Sequence, residues 1–232
     1  MNPAFARYVG APSLDLEGRP DHQLFETRAA LGFRADDRRC TECMAPVFFE
    51  EVSSQGAVVD TMKFPLVLPA GRAAGVAGIA LRFPGVLGPG EAPPWLRRIK
   101  RHLAASFAEP PSIGVLASHL GLHPDHLARS FKRHYGIGIH EYVRTLRVEW
   151  CSWSLLANPA RSLAELAGLA GFADQSHLTR EFQRIRGITP GRLREECRQG
   201  GAGDGQPLRI SCDRRPAPGA DAAGRDPRSR ET

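Results

Sequence analysis

Residues 126–131 read HLARSF and residues 177–182 read HLTREF; KRHYGI follows the first and QRIRGI the second. In each stretch a leucine and a phenylalanine stand four apart, Leu127 with Phe131 and Leu178 with Phe182. That spacing puts both side chains on one face of a helix, so these four are candidate core residues. Arg129 and Arg180 lie two residues past the leucine, roughly 200° round a helix, and must point outward. With Lys132, Arg133, Arg184 and Arg186 they make each outward face basic. A guanidinium is a planar fork of donors that fits the O6/N7 edge of guanine or a pair of phosphate oxygens. One surface arginine is ordinarily only solvated. Two at matching places in two matching segments point to an anionic polymer.

The elements that must position these residues are legible around them. LASHLGLHPDHLARSFKRHYGI overlays LAGLAGFADQSHLTREFQRIRGI with one extra residue in the second copy's turn. Leu116, Ala117 and Gly121 correspond to Leu166, Ala167 and Gly171, and Gly136 corresponds to Gly187. Each unit therefore reads as a short helix, a glycine-containing turn and a longer helix, the helix-turn-helix pattern. Ser112 is placed to cap the first short helix, and Ser162 with Glu165 forms a capping box for the second. Pro124 opens one longer helix and Gly136 stops it; Asp174 caps the other and Gly187 ends it. Between the units HEYVRTLRVEWCSWSLLAN supplies a long helix. Pro94 before WLRRIKRHLAASF and Thr189-Pro190 before GRLREEC open two more, for seven helices in all.

Charge is divided along the chain of 232 residues. Residues 1–94 carry 9 Lys+Arg against 11 Asp+Glu, residues 95–198 carry 16 against 9, and residues 199–232 carry 6 against 5. The basic excess sits in the block that holds the repeat, beside a mildly acidic one. No stretch approaches the roughly 20 apolar residues of a membrane span, and the start lacks a basic-then-apolar leader pattern. Five scattered cysteines argue against a disulfide framework. These features give the expectation of a cytoplasmic protein with no membrane association.

Two breaks organise the chain. FPGVLGPGEAPP (83–94) is rich in Gly and Pro, and residues 85–94 read as a linker. From residue 199 to 232 Gly, Pro, Ala, Asp and Arg dominate, which predicts a disordered tail. Upstream, NPAFARYVG and HQLFETRAALGF read as short helices. APVFFEEV, GAVVDTMKFPLVLP and GVAGIALRF read as three antiparallel strands. The fold class is multidomain: a small α+β domain over 1–84, then an all-α domain over 95–198.

Residues from about 97 to 197 closely resemble the AraC/XylS family of bacterial transcription regulators. SLAELAGLAGFADQSHLTREFQRIRGITPGRLRE carries most of the likeness. The resemblance implies two helix-turn-helix subdomains joined by the long helix at 139–157. It also implies insertion of both recognition helices, about 124–135 and 175–186, into successive major-groove segments ~34 Å apart on one DNA face. By position, the family's base-reading role falls on Asp125, Ala128 and Arg129 in the first unit and on Gln175, Ser176, His177 and Arg180 in the second. Arg129 and Arg180 suit guanine and Gln175 suits adenine, while Ala128 offers an apolar contact. Asp125 either accepts from a cytosine amine or caps its helix, the cap being the preferred reading. Lys132, Arg133, Arg184 and Arg186 are the candidate phosphate contacts. Cys151 stands where an alanine is usual, and Trp150 and Trp153 read as packing aromatics.

The N-terminal block resembles a PAS sensor domain, chiefly through DTMKFPLVLPAGRAAGVAGIALRF. Such a domain begins with two strands before the helix that NPAFARYVG resembles, so the resemblance implies a sheet lacking those strands and an apolar edge on GVAGIALRF. Cys40 and Cys43 form a lone C-x-x-C. On a helix these thiols would share a face as a redox pair or half a metal site, but no further ligands complete one, and two unrelated thiols is the preferred reading. No haem or flavin attachment motif stands out, so no cofactor is assigned. The expected partners are double-stranded DNA, RNA polymerase and, through the PAS-like half, a second copy of the chain. The expected activity is regulatory and not enzymatic. Alternatives are an adaptor with little sequence preference and an alkyltransferase-type DNA-repair enzyme; the latter needs four clustered cysteines and a reactive Cys-His site that the sequence lacks.

Overall fold

The computed structural model describes residues 18–25, 27–44, 46–52, 58–67, 72–81 and 92–200. The tail at 201–232, the NPAFARYVG segment and most of the 85–94 linker lie outside the described residues.

The N-terminal half has a one-turn helix α1 (Asp21–Leu24), a long helix α2 (Thr27–Cys43) and a sheet of β1 (Val47–Val52), β2 (Val58–Val67) and β3 (Ala73–Leu81). HQLFETRAALGF is thus not one short helix. It divides at Phe25, and its second part runs on for 17 residues. The strands are antiparallel in the order β1-β2-β3, with Phe49 opposite Thr61 and Met62 opposite Ile79. Pro65 lies beyond the last β1 pairing, Val47 with Lys63, so its missing N–H falls where β2 has a neighbour on one side alone.

Alternation along β2 buries both of its faces. Val59, Thr61 and Lys63 are buried on one face. There Lys63 Nζ pairs with Asp37 of α2 at 2.7 Å and donates to the Phe33 carbonyl at 3.3 Å. Asp60, Met62 and Phe64 are buried on the other face. That second face meets the helical half.

Seven helices follow: α3 (Pro94–Ala105), α4 (Ile113–Ser118), α5 (Pro124–Tyr135), α6 (Ile139–Ala157), α7 (Leu163–Leu169), α8 (Gln175–Arg186) and α9 (Pro190–Gly200). Leu96, Ile99 and Leu103 follow the three- and four-residue spacing of a buried stripe on α3. Two separate cores flank α6. One gathers Leu116, Leu127, Phe131 and Tyr135 of the first unit and Tyr142 and Leu146 of α6 together with Met62 and Phe64 of β2. The other gathers Val148, Cys151, Leu155, Leu166, Leu178, Phe182 and Leu193. The N-terminal sheet therefore shares a core with the first unit, although Gly- and Pro-rich sequence separates them.

A polar cluster sits inside that shared core. Lys100 of α3, 2% exposed, pairs with Asp60 at 2.5 Å and Glu50 at 2.9 Å, and its ammonium lies 4.5 Å from the Tyr135 ring centre. Burial pushes the Asp60 carboxyl up to about 6 against the pull of Lys100. Around the cluster, Phe64 stacks on Trp153 with centroids 4.9 Å apart, and Phe107 packs on Phe48 and Trp150 at 5.8 and 6.0 Å. Both tryptophans are packing aromatics.

Candidate nucleic-acid interface

The two units are built by the same local devices. Ser112 Oγ accepts from the Val115 N–H at 3.2 Å and Ser162 Oγ from the Glu165 N–H at 3.0 Å, each satisfying a donor at the start of a short helix. Gly121 and Gly171 hold φ of 65° and 77° in the turns, and Gly136 and Gly187 both hold 73° at the ends of α5 and α8. These are left-handed conformations that glycine adopts without a side-chain clash. Leu127, Phe131, Leu178 and Phe182 are all fully buried. The opposite faces of α5 and α8 are thereby turned to solvent at Asp125, Arg129, Lys132, Arg133, Gln175, Ser176 and Arg180.

The capping of the two longer helices differs. Asp174 Oδ1 accepts from the His177 N–H at 2.7 Å, as its position predicts. Asp125 does not cap α5. His123 is the N-cap, its Nδ1 accepting from the Asp125 N–H at 3.3 Å, which leaves the Asp125 carboxylate 78% exposed in the first turn. The negative charge there complements the helix N-terminus. Ala128 is half-buried, and so is His177, whose ring meets the edge of Phe172 at 5.2 Å. The side chain of Arg129 donates to the carbonyl of Asp125 at 3.3 Å.

The basic residues divide more sharply. Lys132 and Arg133 are exposed. Arg184 is anchored: it pairs with Glu141 of α6 at 2.9 Å and with Glu181 at 2.9 Å, and Arg144 joins the same carboxylates at 2.9 and 3.6 Å. Donating to the Glu141 carboxylate raises the affinity of Arg184 for its proton. Burial pushes the Glu141 carboxyl up, but the arginines outweigh it and hold it below its ordinary value. Arg186 is not on the outward face. It turns inward onto the buried carboxylate of Glu149, with 12% of its side chain exposed. Burial raises the Glu149 carboxyl, and Arg186 is the charge that opposes this. Neither pairing has a signal in sequence, since Glu141 and Glu149 lie some forty residues from their partners.

Cys40 and Cys43 do not present a common face: Cys40 is buried in α2 and Cys43, the helix's last residue, is exposed. Burial pushes the Cys40 thiol up to about 11, away from the reactive thiolate. Among the described residues no group of three or more His, Cys, Asp or Glu could hold a metal ion.

Parts of the sequence match known families. Residues 116–196 match the family described as a helix-turn-helix domain. They form an AraC-type helix-turn-helix domain. Residues 1–82 match the PAS fold. The chain is 30% identical over 101 residues to the HTH-type transcriptional regulator GlxA of Rhizobium meliloti, covering 44% of this chain and 31% of that one. It is 27% identical over 101 residues to the bifunctional transcriptional activator/DNA repair enzyme AdaA of Bacillus subtilis, covering 44% of this chain and 47% of that one. The C-terminal domain of AraT, a response regulator from Geobacillus stearothermophilus, is 22% identical with a TM-score of 0.42, over 46% of this chain and 88% of that domain. The chain thus spans a third to a half of the length of these curated relatives. Among the described residues no helix of the PAS-like or AraC-type part is long and apolar enough to cross a membrane.

Proposed function

We propose that this chain is a sequence-specific transcription regulator that lays α5 and α8 in successive major-groove segments of one DNA face. The observation that carries the reading is the matched pair of recognition helices. Each is buried through the same Leu and Phe and capped by glycine at the same end, and each turns an arginine outward at the same position, Arg129 and Arg180. Arg129, Gln175, Ser176 and Arg180 are the base-reading candidates, with Ala128 and His177 at the edge of that surface and Asp125 at its start. Lys132 and Arg133 hold phosphates and Arg184 assists them, but Arg186 is committed to Glu149. RNA polymerase is the natural partner of a regulator bound in this way, and the cytoplasm its compartment.

The PAS-like half serves as the signal-receiving or dimerising part. Support for a role beyond tethering comes from the shared core: Met62 and Phe64 of the sheet are packed among the residues that hold α5 in place. AdaA is named as an activator and a DNA repair enzyme, and only the regulatory role carries over to this chain. The test is a random-site DNA selection with the full chain, followed by binding measured against salt. An enriched bipartite motif bound at least 1,000-fold above random DNA supports the reading. Binding that depends on salt alone, with no enriched motif, favours a nonspecific adaptor.

A further inference from the structure

The two helix-turn-helix units keep separate cores, joined along the chain by α6. Each unit is fixed to its own end of that helix by its own apolar contacts. Ion pairs of Arg184 with Glu141 and of Arg144 with Glu181 tie α8 to the first unit's end of α6, and Arg147, near the middle of α6, is placed to join the backbones of the two units themselves. Its guanidinium makes three hydrogen bonds, all to backbone carbonyls. Nε donates to Phe107 at 2.8 Å, Nη2 to Ala108 at 3.0 Å and Nη1 to Gly171 at 2.5 Å. Phe107 and Ala108 belong to the segment that leads from α3 into the first unit. Gly171 is the turn of the second. No carboxylate pairs with Arg147 among the described residues: three of its five N–H donors go to the two backbones, and its guanidinium lies 5.7 Å from the Phe172 ring centre in the second unit.

Gly171 completes the contact. A Cβ built there would stand 2.8 Å from the Ala108 carbonyl carbon, closer still to its oxygen, and 2.9 Å from Arg147 Nη2. Gly121 holds the equivalent turn of the first unit with nearly the same φ, yet a Cβ there would meet nothing within 4 Å. The turn geometry therefore requires glycine in both units. Only in the second is the missing side chain also what lets two backbones meet.

We propose that Arg147 is a positioning residue: with the Gly171 turn it latches the two units at one angle and so sets the spacing between the two DNA half-sites the chain accepts. The proposal rests on the two-helix reading above. A rigid pair of binding modules gains affinity only when both sites match its geometry, and loses that gain when they do not. Releasing the latch should leave each recognition helix intact while blurring the distance at which both can engage.

The experiment uses the full chain and DNA duplexes carrying the wild-type-selected site, with one or two base pairs inserted or deleted between the half-sites, and each half-site alone. The wild-type chain should lose about 10-fold or more in affinity when the spacing changes. Arg147→Ala should weaken binding to the natural spacing by about 10-fold and flatten the spacing profile to within about threefold, with isolated half-sites bound as before. Arg147→Lys keeps the charge but not the fork, and should behave like the alanine variant. Gly171→Ala would break the same contact from the other side but also strains a left-handed turn, so Arg147→Lys carries the test where Arg147→Ala fails to fold by circular dichroism. Variants that keep the wild-type spacing profile overturn the latch and leave the two-helix reading standing. A wild-type chain that selects no bipartite site removes both.

Discussion

The two helix-turn-helix units have nearly the same letters and the same internal construction, yet they are supported differently. The first unit leans on the N-terminal sheet. Phe64, Met62 and the buried Lys100 with its two carboxylates complete its core, and its outward cations Lys132 and Arg133 stay exposed. The second unit leans on α6. Arg184 and Arg186 are tied to Glu141 and Glu149 of that helix, and its core is closed by Leu193 of α9. A repeated motif thus fixes how a helix is presented, while its surroundings fix which of its charges remain available and what can disturb it. A signal that moved the sheet would reach the first recognition helix before the second.

The difference can be broken in several places. The largest effect is expected from Phe64→Ala, which removes a side chain 1% exposed and should cost about 3–5 kcal/mol of stability. Hydrogen exchange should rise in α5 far more than in α8. Next, Gly121→Ala should cost roughly 1–2 kcal/mol for its left-handed conformation, whereas Gly171→Ala must also displace the Ala108 backbone. Thermal denaturation of the two variants should therefore rank Gly171→Ala clearly below Gly121→Ala.

Asp60 of β2 offers a titration of the core that the sheet shares with the first unit. Its folded value of about 6 lies above the ordinary 3.8, so between these values the folded chain holds a proton that the unfolded chain has lost. Its contribution to stability is full below about pH 4 and is lost as pH rises through 6. Relative to Asp60→Asn, the wild-type chain should lose about 1–3 kcal/mol between pH 4 and 7, read from denaturant midpoints. A pH-independent difference between the two would remove the buried-carboxylate account. On the DNA side, Arg180→Ala should relax preference at one base pair at a cost of about 1–3 kcal/mol. Smallest is the effect at two of the proposed phosphate contacts. Lys132→Ala should lower the salt slope by about 1, and Arg184→Ala by less, because Arg184 already serves Glu141 and Glu181.

What sequence reveals here is what neighbours along the chain decide. Ser112, Ser162 and Asp174 announce their caps, Gly136 and Gly187 their helix ends, and Leu127 with Phe131 their buried face, because each depends on residues within one or two turns. The outward or inward fate of Arg186 depends on Glu149, 37 residues away, so a helical wheel places it wrongly. His123 takes the cap from Asp125 although imidazole is an uncommon cap, a choice local spacing does not announce. β-Branched and aromatic residues in VVDTMKF predict a strand, but both faces being covered is a tertiary fact. The Gly- and Pro-rich break before Pro94 suggests two independent bodies where a single core crosses it. Cys40 and Cys43 share a helix face in projection, yet the helix ends at Cys43 and leaves it in solvent.

We propose that α5 and α8 engage one DNA face together. Hydroxyl-radical footprinting of the full chain on its selected site tests it most directly. Two protected segments on the same face, about one helical turn or ~34 Å apart, are predicted, with Arg180→Ala weakening only the segment under α8. A single protected segment, or protection that Arg180→Ala leaves unchanged at both, would contradict it.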